Sequence, residues 1–127
     1  MIVSGEAVAA YVAARIGKDI VEPYTALGVM DGGRVVAGVV FNGWTGPDIE
    51  ITVANEPGRL TRGFLRRLAR YAWDEAGAAR VSITTESARV VDLAIRLGGT
   101  VEGIKRDAFG LGRDAVMLGI LKKDWRI

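Results

Sequence analysis

The chain has 127 residues with a formal net charge of +2, and half of its residues are hydrophobic. This length predicts one domain, residues 1–127, with its own hydrophobic core. The chain has no cysteine and no histidine, which excludes disulfides, thiolate nucleophiles, histidine-based triads and the common zinc sites, so we expect no metal. It also lacks a membrane-length apolar run and a signal-peptide pattern, so we expect a cytoplasmic protein that does not enter a membrane.

Basic residues concentrate in the second part of the chain. Residues 1–58 hold three basic and seven acidic side chains, whereas residues 59–127 hold fourteen basic and eight acidic ones. Five arginines fall in one short segment: Arg59, Arg62, Arg66, Arg67 and Arg70. Such a segment suits an anionic ligand, a nucleic acid or a solvated basic surface, and composition alone does not separate these.

In chain order, the first part predicts one helix and three strands. A helix capped by Ser4 runs to Ile16, because serine is a favoured cap and the apolar residues recur at helical spacing. Residues 25–41 predict a hairpin around a Gly32-Gly33 turn, with a second strand apolar enough to be covered on both faces. Residues 48–54 alternate strictly and predict a third antiparallel strand.

The second part predicts two helices and three further strands. Apolar residues at helical spacing indicate a helix from Leu60 to Glu75 that ends at Gly77, and a second helix from Ser87 to Leu97. The predicted strands are Arg80 to Thr85, Val101 to Arg106 and Ala115 to Leu121. Antiparallel strands followed by a crossover predict an α/β fold with a central mixed, mostly antiparallel sheet and helices on both faces.

The C-terminal third carries a family resemblance. Its marks, in order, are Arg89, Leu97-Gly98, Val101-Glu102-Gly103, Arg106-Asp107, Asp114 to Leu118 and Trp125. Together they resemble the GNAT (Gcn5-related N-acetyltransferase) superfamily, closest to its ribosomal-protein and small-substrate acetyltransferases. The short first part also resembles the small acetyltransferase-like proteins of phages and prophages. The resemblance implies a GNAT-like fold and an acetyl-CoA-dependent N-acetyltransferase whose acceptor is a small-molecule or protein amine.

The resemblance also implies a cofactor site. GNAT proteins hold the acetyl-CoA pyrophosphate with a glycine-rich turn at a helix N-terminus, where free amides and the helix dipole attract phosphate. The corresponding segment here runs from Glu56 to Gly63, with Arg62 where the central glycine should be and Phe64 where a small residue should be. The positions that carry over as cofactor contacts are Val53, Ala54, Arg59, Leu60, Thr61, Arg62, Gly63 and Ser87.

Two interpretations of the arginines stay open. Arg59 and Arg62 can replace amide contacts with charge-assisted bonds to the acetyl-CoA phosphates. Alternatively, cofactor binding is lost and the arginines form a surface stripe that pairs with acidic residues or an acidic partner. Nucleic acid is a weaker interpretation, because at least two of the helix's aromatic residues lie on its apolar side.

For catalysis, the resemblance implies that Glu50 is the general base, since a glutamate on the corresponding strand often takes the amine's proton in this family. The family's tyrosine acid has no counterpart between Glu86 and Gly99. The alternative function is therefore a catalytically inactive GNAT-fold binding or assembly component of phage origin. A homodimer through sheet edges or terminal strands is compatible with either function.

Overall fold

The computed structural model describes residues 1–127 and contains one seven-stranded sheet in the order β1-β2-β3-β4-β5-β7-β6. The strands are β1 Ile2–Ser4, β2 Thr25–Asp31, β3 Arg34–Asn42, β4 Asp48–Asn55, β5 Arg80–Thr85, β6 Thr100–Lys105 and β7 Ala115–Leu121. The helices are α1 Glu6–Ile16, α2 Arg62–Ala69 and α3 Ala88–Arg96. A π-helical segment, Arg70–Glu75, extends α2, and a 3-10 turn, Lys122–Asp124, follows β7.

The sheet is mixed, as predicted. All neighbouring strands are antiparallel except β4 and β5, which are parallel because α2 and the π-helical segment carry the chain back between them. The helices lie on both faces of the sheet, which confirms the predicted α/β fold class.

Helix α1 packs on one face of the sheet over a pair of glycines. Gly28 of β2 lies opposite Gly38 of β3, and a Cβ atom on Gly28 would stand 2.6 Å from the carbonyl oxygen of Ala37 and 2.9 Å from Val8. Because neither glycine has a side chain, Val8 and Val12 can approach the backbone of the two strands and are fully buried.

The opposite face carries α2, the π-helical segment and α3 over the larger hydrophobic core. Val39 points into this core and Val40 into the α1 side, and both are fully buried. This confirms that β3 is covered on both faces. The chain continues from β4 into α2 on this face, so the arginine-rich helix begins beside the carboxyl end of β4.

The N-terminal prediction was wrong in one respect. Ser4 does not cap a helix; it pairs with Leu27 as the last residue of β1, and Gly5 precedes α1 without a side-chain cap. The pairing of β1 with β2 supplies backbone hydrogen bonds from a strand more than 20 residues away. Whether Ser4 caps a helix or joins a strand depends on this distant strand, and the local sequence around Ser4 does not contain that information.

The second helix begins later than predicted. Thr61 caps α2, because its hydroxyl accepts a hydrogen bond from the Phe64 amide at 3.3 Å. Leu60 precedes the helix and packs against the core, which explains why it fitted the helical pattern. Gly77 has a φ of +71° and ends the segment in the left-handed conformation, as predicted.

None of the helices of the structure is long and apolar enough to cross a membrane.

Candidate functional site

The sheet opens into a cleft where its only parallel pair of strands separates. The ladder between β4 and β5 ends at the pair formed by Ile51 and Ile83. Beyond it, the strands enclose a cleft of about 240 Å³. Residues 52–55 line one side and residues 84–87 the other. Ligands of open α/β sheets bind at the carboxyl ends of parallel strands, which makes this cleft the first candidate site.

The edge of β4 inside the cleft is suited to an extended ligand. Its other edge is paired with β3 through Asn55, but its cleft edge has no ladder partner after Ile51. The backbone groups of residues 52–55 that face the cleft can therefore hydrogen-bond to an amide-containing chain, in the manner of an added strand. Val53 and Val90 add an apolar wall.

The N-terminus of α3 forms the second wall of the cleft. Ser87 caps this helix by accepting a hydrogen bond from the Val90 amide at 3.3 Å. The Ser87 amide in turn donates to the Thr85 hydroxyl at 3.0 Å. Both side chains line the cleft, and Thr85 is the only polar residue of the chain that is buried. The helix therefore begins in a fixed position beside the cleft.

An ion pair ties two loops together at the cleft mouth. The guanidinium of Arg113, in the β6–β7 loop, donates to the Glu86 carboxylate from Nε–H at 3.1 Å and a second time from Nη2. This hydrogen bonding lowers the pKa of the Glu86 carboxyl and raises that of Arg113. The pair holds the β6–β7 loop against the segment between β5 and α3.

The same loop reaches the end of α1. Phe109 lines the cleft together with Arg15 and Ile16. The ammonium of Lys18 lies 4.6 Å from the centre of the Phe109 ring, within the range of a cation–π contact. The cleft therefore has an α1 side, walled by Ile16 and Phe109, that is separate from the α2 and α3 side.

The predicted cofactor residues divide into two groups. Val53, Ala54 and Ser87 line the cleft. The other predicted contacts lie outside its lining, in the turn before α2 and at the start of that helix; they are Arg59, Leu60, Thr61, Arg62 and Gly63. A cofactor with a long flexible arm can contact both groups, because the turn continues directly from the cleft edge of β4.

Ion pairs occupy part of this turn. Arg34 holds the Glu56 carboxylate through two bonds of 2.5 Å and 3.2 Å, and these hydrogen bonds lower the Glu56 pKa. Arg59 donates to Asp31 at 2.8 Å and lies 4.0 Å from Glu56. The negative charge of Glu56 is therefore compensated within the protein, and Arg59 is engaged with the β2–β3 turn.

The first residues of α2 remain open. The first helical hydrogen bond is donated by Leu65 to the Thr61 carbonyl, and Thr61 also satisfies the Phe64 amide. The amides of Arg62 and Gly63 precede these bonds and are available as donors. A Cβ atom added to Gly63 would meet nothing within 4 Å. This open space beside two free amides fits an anionic group such as a phosphate.

Three arginines form an exposed stripe along α2 and the π-helical segment that extends it. Arg62, Arg66 and Arg70 are four residues apart, and none takes part in the ion pairs of the structure. Arg67 differs, since it binds Glu75 at 2.8 Å. The sequence interpretation that arginines pair with acidic neighbours therefore applies to Arg59 and Arg67, while Arg62 is free to meet a ligand.

Glu50, the predicted base, lies below the cleft rather than in its lining. It is one pleat before Thr52 on the same face of β4, a distance of about 7 Å along the strand. Its carboxyl carbon would stand 3.3 Å from a Cβ on Gly43. Glu50 is exposed and lines a separate groove at the other end of the strand.

No tyrosine lines the cleft. The Tyr11 hydroxyl donates to the Val36 carbonyl at 3.1 Å, and the Tyr71 hydroxyl donates to Thr25 at 2.9 Å. The third tyrosine, Tyr24, lines the groove that contains Glu50 rather than the cleft.

Several cleft residues were missed in the sequence. Thr52 and Thr84 face the cleft from the two strands, and Glu86 and Phe109 close its mouth. The sequence did contain a signal for Thr52 and Thr84, because polar residues at the carboxyl ends of parallel strands predict a ligand site. Nothing local links Glu86 to Arg113, which is 27 residues away.

No protein-family model matches the sequence, and the comparison with curated proteins gave no significant match. Solved structures do match. An IAA acetyltransferase from Bacillus cereus is 18% identical with a TM-score of 0.68, over 95% of this chain and 98% of that one. A spermidine N-acetyltransferase variant from Vibrio cholerae is 14% identical with a TM-score of 0.67, over 97% and 95% of the two chains.

Longer acetyltransferases match over part of their length. A ribosomal-protein-S5-alanine acetyltransferase from Vibrio fischeri is 13% identical with a TM-score of 0.63, over 82% of this chain and 64% of that one. A probable acetyltransferase is 22% identical with a TM-score of 0.63, and this chain spans 63% of its length. The chain therefore has the fold of the GNAT acetyltransferases, which confirms the fold that the sequence predicted.

Proposed function

We propose that the protein is an acetyl-CoA-dependent N-acetyltransferase that acts on an amine acceptor. The observation that carries this proposal is the separation of β4 and β5 after Ile51 and Ile83. It creates a strand edge for an extended ligand between two helix N-termini. All the structures compared above are acetyltransferases by name, which supports acyl transfer as the class of reaction.

The chain offers contacts for the pantetheine arm and for the phosphates of acetyl-CoA, the proposed acetyl donor. The free backbone edge of β4 at Val53 and Ala54 suits the amide groups of the pantetheine arm. The free amides of Arg62 and Gly63, with the Arg62 guanidinium, suit the phosphates. Acetyl-CoA held in this way supplies an acetyl group activated as a thioester.

The acceptor has its own approach to the cleft. Ile16 and Phe109 wall the α1 side, where the polar side chain of Thr52 also points. An amine entering here stands about one pleat from Glu50, so we propose that the Glu50 carboxylate takes the amine's proton through a water molecule. The amine nitrogen then forms the bond to the acetyl carbon, and the thiolate that leaves takes a proton from solvent.

Acetyl-CoA-dependent thiol release with a panel of amines tests this function. The panel contains an alanine-terminated peptide and an aliphatic diamine, and mass spectrometry identifies the acetylated product. We expect one of them to be acetylated, and Glu50→Gln to lower kcat with little change in acetyl-CoA affinity, whereas the exposed control Glu6→Gln changes neither. Acetyl-CoA binding without product from any amine would favour the binding-component alternative.

A further inference from the structure

A cavity lies in the larger hydrophobic core, between the helices that cover this face of the sheet. It has a volume of about 70 Å³, and every residue that lines it is hydrophobic. Three of these residues are buried alanines on facing helical segments, Ala69 and Ala72 on one side and Ala94 of α3 on the other. Because their methyl groups are short, side chains do not fill the space between the helices.

The cavity adjoins the cleft between β4 and β5, since Val53 and Val90 line both of them. Leu60 and Leu93 also line the cavity, and both are half-buried. The cavity therefore approaches the surface between the start of α2 and α3, and a small molecule has a short route to it from that end.

A buried hydrogen-bond donor belongs to the lining of this cavity. Trp73, in the π-helical segment, lines the cavity and is 8% exposed. Its indole N–H is buried and has no acceptor in the structure. The other buried side-chain atom without a hydrogen bond is Nε of Arg80, which lies 3.4 Å from Oδ1 of Asp48 in an ion pair. The Trp73 N–H has no such charged partner.

The chemistry of the lining disfavours water as the partner of Trp73. A buried water typically makes about three hydrogen bonds. The polar atoms of the lining side chains are the indole N–H groups of Trp73 and Trp125, and both are donors. A water molecule here has no side-chain acceptor for its own hydrogens. A ligand that only accepts a hydrogen bond does not have this cost.

We propose that this cavity binds a small apolar molecule with one hydrogen-bond acceptor and no donor, of the class of short-chain ketones. The hydrophobic residues take its carbon atoms out of water, and its carbonyl oxygen accepts the Trp73 N–H. The volume is about half that of a 150 Å³ apolar cavity that binds benzene, so the ligand has about four or five non-hydrogen atoms. The site depends on the cavity alone and does not require that the cleft binds acetyl-CoA.

The indole N–H resonances give a local test of this site. Trp44 is the control, because it is 62% exposed and lies outside the lining. We expect titration with 2-butanone to move the Trp73 resonance downfield, as a new hydrogen bond does, and to leave the Trp44 resonance in place. The alkene 2-methyl-1-butene has the same shape without an acceptor and should produce no such downfield shift. Absence of a Trp73 shift at high millimolar ketone, or an equal shift of Trp44, would overturn the proposal.

One pair of variants tests the hydrogen bond. Trp73→Phe keeps an aromatic ring and removes the donor. We expect wild type to bind the ketone about fivefold more tightly than the alkene, and Trp73→Phe to lose this preference. Trp44→Phe makes the same change outside the cavity and should retain it. An unchanged preference in Trp73→Phe would contradict the assigned contact.

A third variant tests the location. Ala94→Val adds two carbon atoms to a residue that lines the cavity, so it should abolish the binding of both ligands. Binding that persists in folded Ala94→Val would place the ligand elsewhere and overturn the proposal. If a variant does not fold, the wild-type titration decides the proposal by itself, whatever the outcome of acetyl-CoA titrations.

Discussion

Ile51 and Ile83 form the last pair of the parallel ladder between β4 and β5, and the two strands separate beyond them. The position of this pair sets where the cleft begins. It leaves the last four residues of β4 with one free edge, and it places the N-terminus of α3 across the gap. The proposed acetyl-CoA site follows from this separation rather than from a single residue.

Gly63 tests whether the start of α2 meets a ligand. A Cβ at this position meets nothing in the protein, so Gly63→Ala should leave stability equal or slightly higher through better helix propensity. The same methyl group would occupy the space beside the free amides, so we expect CoA to bind at least about tenfold more weakly. Urea unfolding and competition binding measure the two effects.

Gly103→Ala is the matched control for this substitution, because Gly103 lies on β6, away from the cleft, and also has room for a Cβ atom. Unchanged CoA affinity in Gly63→Ala would mean that phosphates do not approach the first turn of α2.

The arginine stripe provides a second comparison. Arg62 adjoins the free amides of α2, whereas Arg70 lies two turns further along the same exposed stripe. If the stripe served only as diffuse positive charge, Arg62 and Arg70 would contribute equally to CoA affinity. We expect Arg62→Ala to weaken CoA binding about tenfold and to reduce its salt dependence, and Arg70→Ala to have less than about a threefold effect. Calorimetry at two ionic strengths distinguishes the cases.

The two observed caps make a stability prediction. Thr61→Ala and Ser87→Ala each remove a hydroxyl that accepts a helix amide, and each should cost about 1 kcal/mol of unfolding free energy. Ser4→Ala removes a serine that the sequence suggested as a cap but that makes no cap bond. Its cost should stay below about 0.5 kcal/mol by urea denaturation. Equal costs at all three positions would contradict the assigned helix starts.

The ion pair at the cleft mouth predicts a pH dependence. Arg113 lowers the Glu86 pKa from its usual 4.5 in the folded protein. The pair therefore stabilises the fold above that value, and its contribution is lost as the pH falls through the lowered folded pKa. We expect Arg113→Met to be less stable than wild type at about pH 7, and the difference to shrink at about pH 3. Urea midpoints at the two values measure it.

Arg106→Met is the control for this measurement, since Arg106 is exposed and takes part in none of the ion pairs of the structure. A stability difference for Arg113→Met that stays constant across this pH range would show that the ion pair with Glu86 is not its source.

Local sequence patterns were sufficient to predict most of the strands, turns and helix ends of the fold. The β5 and β7 bounds, the Gly32-Gly33 turn and the caps at Ser87 and Gly77 all follow from residue order, because turns, caps and alternation are local properties. The GNAT resemblance in the C-terminal third then indicated the correct topology.

The remaining features depend on contacts between distant residues. The strand Ile2–Ser4 exists because β2 offers it an edge, and three residues carry no periodicity. Thr52 and Thr84, polar residues at the ends of two parallel strands, signalled a ligand site, but the point where β4 leaves β5 is set by the packing of both strands and is not contained in the sequence of either one. The position of Glu50 outside that cleft was hidden for the same reason.

Calorimetric titration of the wild-type chain with acetyl-CoA shows whether the cleft between β4 and β5 binds this cofactor. We expect saturable heat with one ligand per chain and a dissociation constant in roughly the micromolar to submillimolar range. CoA should compete for the same site, because the proposed contacts are to its arm and phosphates. No heat with either ligand at high concentration would contradict the claim that the cleft between β4 and β5 is an acetyl-CoA site.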